Sequence, residues 1–267
     1  LSGFAGMMAA PTALLLGFTT TALAALAHAY VGKSGRLIAL TFWIAFACAF
    51  CIDALAPSLA IFVTVASLCF WERRVRWLSG LLPLPGMLAG LAVIAAAAES
   101  GARFSTAVQI FDSDHLGLPG YHLLLLPLLI FPATYALPAA ARIAFAALRA
   151  PRRIEAPERF LVAWAIALFA TFELLPTKLP HYALLAYPAV ALLCGAGLAA
   201  MPFKAWRSTH PAGVVIFAVA GAALAVVLGI GATFMPGDLG SDLRRALSAG
   251  LLGVVVIAAA IVALLTW

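Results

Sequence analysis

The chain has 267 residues, of which 65% are hydrophobic and only 10% charged, with a mean hydropathy of +1.11. Soluble domains carry about a quarter charged residues, so this composition excludes a soluble fold and points to a polytopic membrane protein. The net charge is +6, yet the sixteen Lys and Arg lie in short loops between apolar runs, as topology signals do, and this argues against a nucleic-acid partner.

An apolar run of about 20 residues crosses a bilayer as a helix. In chain order the expected spans are 8–28, 37–53, 55–71, 81–98, 120–139, 159–175, 182–202, 212–234 and 246–266. They predict an all-α, polytopic transmembrane helix bundle of about nine spans, organised as a single transmembrane domain over residues 1–267. Asp53-Ala54-Leu55-Ala56-Pro57 is a tight turn that makes the second and third spans a hairpin. Pro127, Pro132 and Pro138 are expected to kink the fifth span, with 140–150 continuing it as a surface helix carrying Arg142 and Arg149. The first residue is Leu1 and Trp267 follows an apolar run directly, so the chain is expected to be a piece of a longer protein.

Strict alternation of these spans puts Lys33, Arg36, Arg73, Arg74, Arg76, Arg149, Arg152, Arg153, Arg159, Lys204 and Arg207 on one side. The other side receives Arg103, Lys178, Arg244 and Arg245. By the positive-inside rule the first side is cytoplasmic. The 99–119 loop, the Lys178 turn and the 235–245 loop then face the periplasm or exterior. Trp71, Trp77 and Trp206 fall beside the cytoplasmic ends, where interfacial aromatics gather. Cys48, Cys51, Cys69 and Cys194 all lie inside apolar segments and read as small buried hydrophobes, despite the redox-like spacing of the first two.

Two outward segments hold the groups that carry chemistry. One runs Phe111-Asp112-Ser113-Asp114-His115-Leu116-Gly117-Leu118-Pro119-Gly120-Tyr121-His122. The other is the Glu173-Leu-Leu-Pro-Thr-Lys178-Leu-Pro-His181-Tyr182 turn. Charged groups cost roughly 2.5–3.5 kcal/mol each at a bilayer centre, so both belong at the membrane face, where they can line one cavity. A phosphate there would meet Lys178 as a point charge and His115 or His181 as charge-assisted donors.

The Lys178-Leu-Pro-His-Tyr182 block, followed by Ala-Leu-Leu-Ala-Tyr-Pro188, resembles the Lys-Leu-Pro-x-Tyr turn of the ArnT-like (aminoarabinose transferase) family. These are integral-membrane glycosyltransferases of the GT-C class related to protein mannosyltransferases. The Asp114-His115 to Tyr121-His122 segment is similar to that family's loop, and the resemblance covers roughly residues 35–200. It implies a GT-C-like membrane portion of an enzyme of the inner (cytoplasmic) membrane, active at its periplasmic face. That enzyme would take a sugar from a polyprenyl-phosphate carrier and pass it to a lipid, glycan or protein acceptor. The resemblance further implies that Lys178, Tyr182 and His115 contact the donor phosphate, and that Glu173, His181, Tyr121, His122 and Asp114 line the cavity. The acidic residue expected to activate the acceptor lies upstream of this chain, so no catalytic residue is assigned within it. The family's short hairpin has Lys-Gly-Pro where this chain has Asp53-Ala54-Leu55, which removes one cation from the implied phosphate contacts.

Plainer readings stand beside these. Lys178 could snorkel at a helix end, and Glu173 could pair with Lys178. Tyr182 and Tyr187 could be belt aromatics, and His181 or His115 solvated loop histidines. Asp112 and Asp114 could be solvated acids or take part in binding a divalent cation; no spacing marks a metal site and no cofactor motif occurs. Asp53 reads as a turn or capping residue. A transporter or flippase for an anionic lipid or small anion, or an inactive family member, would use the same features.

Overall fold

The computed structural model describes residues 2–33, 35–82, 84–99, 119–149, 156–175, 180–200 and 203–233, with single positions at 250 and 253. Among them the chain is all helical, with no strand. It runs α1 (Ser2–Tyr30), α2 (Arg36–Ile52), α3 (Leu55–Glu72), a 3-10 turn Arg76–Leu81, and α4 (Leu84–Glu99). It continues with α5 (Tyr121–Leu129), a 3-10 turn Ala133–Ala136, α6 (Leu137–Arg149), α7 (Pro157–Leu174), a 3-10 segment Pro180–Ala186, α8 (Tyr187–Ala199) and α9 (Phe203–Thr233). Within the described residues Pro11–Tyr30 and Leu55–Glu72 are long and apolar enough to cross a bilayer. Arg36–Ile52, Leu84–Glu99, Ala183–Ala199 and Pro211–Val227 are shorter apolar helices. The expected ninth span, 246–266, lies outside the described residues apart from Gly250 and Gly253.

The chain gathers into two compact units. The first comprises 1–122 and 147–190. In it α2 packs against both α1 and α4, and α3 packs against α7. Lipid tails are as apolar as Leu, so close van der Waals fit and not water exclusion holds such helices together. The buried faces accordingly combine small residues (Ala22, Ala25, Ala29, Ala39, Ala45, Ala49) with large side chains of α7 such as Phe160, Trp164, Leu168 and Phe172. Trp43 on α2 donates its indole N–H to the Leu81 carbonyl at 2.6 Å, fixing the 3-10 turn that leads into α4. The hairpin between α2 and α3 turns on Asp53. Its carboxylate accepts the backbone N–H groups of Leu55 at 2.8 Å and Ala56 at 3.2 Å, which are donors that a helix start leaves unsatisfied. Asp53 is 2% exposed, a buried capping residue as its place in the turn suggests.

At the end of this unit where α1 and α3 finish and α7 begins, three polar side chains meet. The Tyr30 hydroxyl donates to Glu72, and Arg159 Nη1 lies 3.8 Å from the same carboxylate. The Arg159 guanidinium sits over the Trp71 ring at 5.3 Å, and Tyr30 meets Trp77 edge to face at 5.4 Å. The alternation of spans requires these three chain ends to share a side, and they do. Arg159 and Glu72 are buried partners here, and Trp71 and Trp77 pack on the cluster.

The second unit comprises 123–146 and 191–267. The segment expected as one kinked fifth span is broken: α5 ends at Leu129, and the stretch Ala133–Arg149 is bent from it by 114°. Prolines explain the break, since Pro127 and Pro132 cannot donate N–H groups to a continuing helix, while Pro138 sits in the first turn of α6, where that loss costs nothing. The Thr134 hydroxyl donates to the Pro127 carbonyl at 2.7 Å, supplying a partner across the break. Residues 137–139 therefore belong to α6, beyond the bend. Two glycines admit the bent stretch to its neighbours. A Cβ on Gly197 of α8 would lie 2.5 Å from the Ala139 carbonyl carbon, and one on Gly213 of α9 would meet the Tyr135 carbonyl oxygen. Phe131 stacks on Phe217 at 4.8 Å. Residues 203–211, expected as a loop, form the start of α9, which carries Pro211 within it.

Candidate functional site

At the opposite end of the first unit, the close of α7 meets the start of α5. Glu173, in the last turn of α7, accepts the Gly120 N–H through Oε2 at 2.7 Å and the His122 N–H through Oε1 at 2.8 Å. Oε1 also lies 3.5 Å from His122 Nδ1. The first N–H groups of a helix have no partner within it, and the helix dipole makes that end favourable for an anion. Glu173 thus caps α5 from another helix. Hydrogen bonds to a charged group contribute about 1.5–3 kcal/mol each, so this contact is one of the stronger ties of the unit. The His122 ring is fully buried, with Tyr121 edge-on at 5.4 Å and Phe172 at 6.4 Å.

The other arm of the turn is held back onto α7. Trp164 donates its indole N–H to the Leu185 carbonyl at 2.8 Å, and Phe169 lies 6.3 Å from Tyr187. The Tyr187 hydroxyl oxygen is buried without a hydrogen-bond partner among the described residues. Glu173 is thus tied to the start of α5, and Leu185 to α7.

Of the residues expected in the cavity, Tyr121, His122 and Glu173 come together. The backbone of His181 and Tyr182 lies in the 3-10 segment Pro180–Ala186, while their side chains lie outside what is described. Lys178, His115 and Asp114 lie outside the described residues, as does Asp112. Among the described residues no group of three or more His, Cys, Asp or Glu is arranged to hold a metal ion. The cysteines are free thiols, with Cys194 buried and Cys48, Cys51 and Cys69 half-buried. Sequence reasoning missed the Tyr30–Glu72–Arg159 cluster, because a charge flanking an apolar run reads as an interfacial residue. Two opposite charges at the same predicted side, on spans that could be neighbours, were the available signal.

This helical arrangement matches two solved structures of ArnT from Cupriavidus metallidurans. Against the form bound to undecaprenyl phosphate the TM-score is 0.68 at 22% identity, over 93% of this chain and 47% of that one. Against the apo form it is 0.64 at 22% identity, over 92% and 47%. The chain has an ArnT-like fold. The chain spans about half the length of the solved structures it matches. No protein-family model matches the sequence, and neither does any curated protein.

Proposed function

We propose that this chain is the membrane portion of a GT-C-type glycosyltransferase of the inner membrane. It would move a sugar from a polyprenyl-phosphate donor to a cell-envelope acceptor (lipid A, another glycan or a protein side chain) at the periplasmic face. The observation that carries this reading is the junction of Glu173 with Gly120 and His122 on an ArnT-like fold. It joins the two segments in which the sequence concentrates its outward polar groups. Lys178 lies five residues beyond Glu173, and His115 five before Gly120. A chain arm of that length reaches at most about 18 Å, so both groups stay tethered to one junction.

In the proposed reaction the bond between the anomeric carbon and the carrier phosphate breaks while an acceptor oxygen bonds to that carbon. The acceptor proton passes to a carboxylate upstream of this chain, and polyprenyl phosphate leaves. Lys178, with His115 and Tyr182, offsets the negative charge that grows on the departing phosphate. Such groups placed in advance commonly account for about 10²–10³-fold in rate. In the full-length protein, Lys178→Ala is therefore expected to slow release of polyprenyl phosphate from a labelled sugar donor by about two orders of magnitude. Unchanged turnover would remove Lys178 from the mechanism.

The break between α5 and α6 favours a second reading. Discontinuous helices frame substrate sites in many transporters, so a flippase for an anionic lipid would also suit this segment. Movement of the lipid across vesicles without bond cleavage would establish that reading in place of transfer.

A further inference from the structure

We propose that the close of α3 and the 3-10 turn after it form a binding surface for anionic phospholipid headgroups. This surface lies at the opposite end of the first unit from Glu173, so it stands apart from the donor-site reading above. In the run Glu72-Arg73-Arg74-Val75-Arg76 the acid has cations beside it that it could offset. The fold assigns them differently. Glu72 turns inward, where the Tyr30 hydroxyl and Arg159 occupy its carboxylate, while Arg73, Arg74 and Arg76 are exposed. None of these three arginines makes an ion pair among the described residues.

Other cations arrive at the same place. Tyr30 meets Trp77 edge to face, which brings the end of α1 to the turn. Lys33, three residues beyond Tyr30, and Arg36, at the start of α2, are also exposed. Apart from buried Glu72, the acid that the described residues place at this end is half-buried Glu158. Like charges gathered in this way repel one another, and an anion that covers them removes that cost.

The neighbouring apolar side chains select the kind of anion. Phe70 is 88% exposed, Leu37 76% and Val75 63%, each within a few residues of these cations. A soluble polyanion would leave those side chains in water, whereas a phospholipid sets a phosphate and an acyl chain side by side. Arg73 adds a separate observation. It ends α3 in the left-handed conformation, with φ 54°, where glycine is usual and a side chain is disfavoured. A guanidinium is thus kept at a position where the backbone would be better served without one. The alternation of spans makes this the cytoplasmic side, and the cytoplasmic leaflet is negatively charged.

The test uses the full-length protein in detergent micelles, with fluorescent phosphatidylglycerol as the probe and phosphatidylcholine as the neutral control. Arg73→Gly relieves the left-handed strain, so it should hold or raise the thermal midpoint and yet weaken phosphatidylglycerol binding about fivefold. Replacing Arg73, Arg74 and Arg76 together by Gln should weaken it about a hundredfold. The same triple change should flatten the salt dependence. Phe70→Ala should weaken binding and leave the salt dependence as it is. If the triple variant does not fold, Arg73→Gly decides.

Equal binding of phosphatidylcholine and phosphatidylglycerol by the wild type would overturn the proposal. So would full affinity in Arg73→Gly or in the triple variant. An equal loss from replacing Arg142 and Arg149 on α6 would reduce the effect to overall charge and count against this surface. Displacement of the probe by inorganic phosphate at millimolar concentration would make it a site for a soluble anion, and would equally overturn it.

Discussion

Arg159 and Glu72 face each other across 3.8 Å with side chains only 2% and 3% exposed, and the Tyr30 hydroxyl donates to the same Glu72 oxygen. Removing one partner of a buried pair strands the other charge, at a cost of about 3–5 kcal/mol, whereas replacing both with apolar groups is often neutral. Arg159→Met and Glu72→Leu should each lower the unfolding midpoint of the detergent-solubilised protein sharply, and the double variant should recover most of the loss. Tyr30→Phe, which keeps the ring contacts with Trp77 and Phe160, should cost about 1–3 kcal/mol. Equal stability in wild type and both charge-removing variants would mean the cluster does not tie α1, α3 and α7 together.

Gly197 is where α8 and the start of α6 touch. A methyl group there would sit 2.5 Å from the Ala139 carbonyl carbon, and the obstacle is backbone, which cannot rotate aside. Gly197→Ala should therefore destabilise by about 1–3 kcal/mol, and Gly197→Val by more, read as a lowered thermal midpoint. A neutral Gly197→Val would contradict the close approach of the two helices.

Asp53 tests whether its acidity is a lost phosphate contact or a structural gain. Its carboxylate already serves the Leu55 and Ala56 amides. Asp53→Ala should cost about 0.5–2 kcal/mol, as loss of a cap does, with Asp53→Asn milder. Asp53→Lys, which supplies the cation that the resembling family has in this hairpin, should lower stability without tightening binding of undecaprenyl phosphate. A gain in affinity from Asp53→Lys would add this position to the proposed donor site.

Hydropathy revealed most of the helices, because long apolar runs bounded by charge leave little choice. The bounds of α2 and α3 differ from expectation by a residue or so. Proline content pointed to trouble in the fifth span but not to its size. A proline removes a hydrogen bond wherever it sits, and only tertiary partners such as Gly197 and Gly213 decide whether the chain bends slightly or turns by 114°. Lys204–His210 read as a loop because charge interrupts the run, whereas the backbone there continues as helix into α9. Glu173 was legible as a residue of interest, since an acid beside a proline turn demands a reason. Its partners were not, because amides give no signal in a sequence. Arg159 looked like one more topology charge, and only the arrival of Glu72 from another span distinguishes it.

The short α5 also limits what this segment can span. Nine residues rise only about 14 Å, under half the thickness of a bilayer's hydrocarbon layer. Past Leu129 the chain swings aside into a helix whose exposed face mixes Arg142 and Arg149 with Phe145 and Leu148. α5 by itself therefore falls short of that thickness, and the guanidinium groups of Arg142 and Arg149 lie on the exposed face of the helix that follows the break.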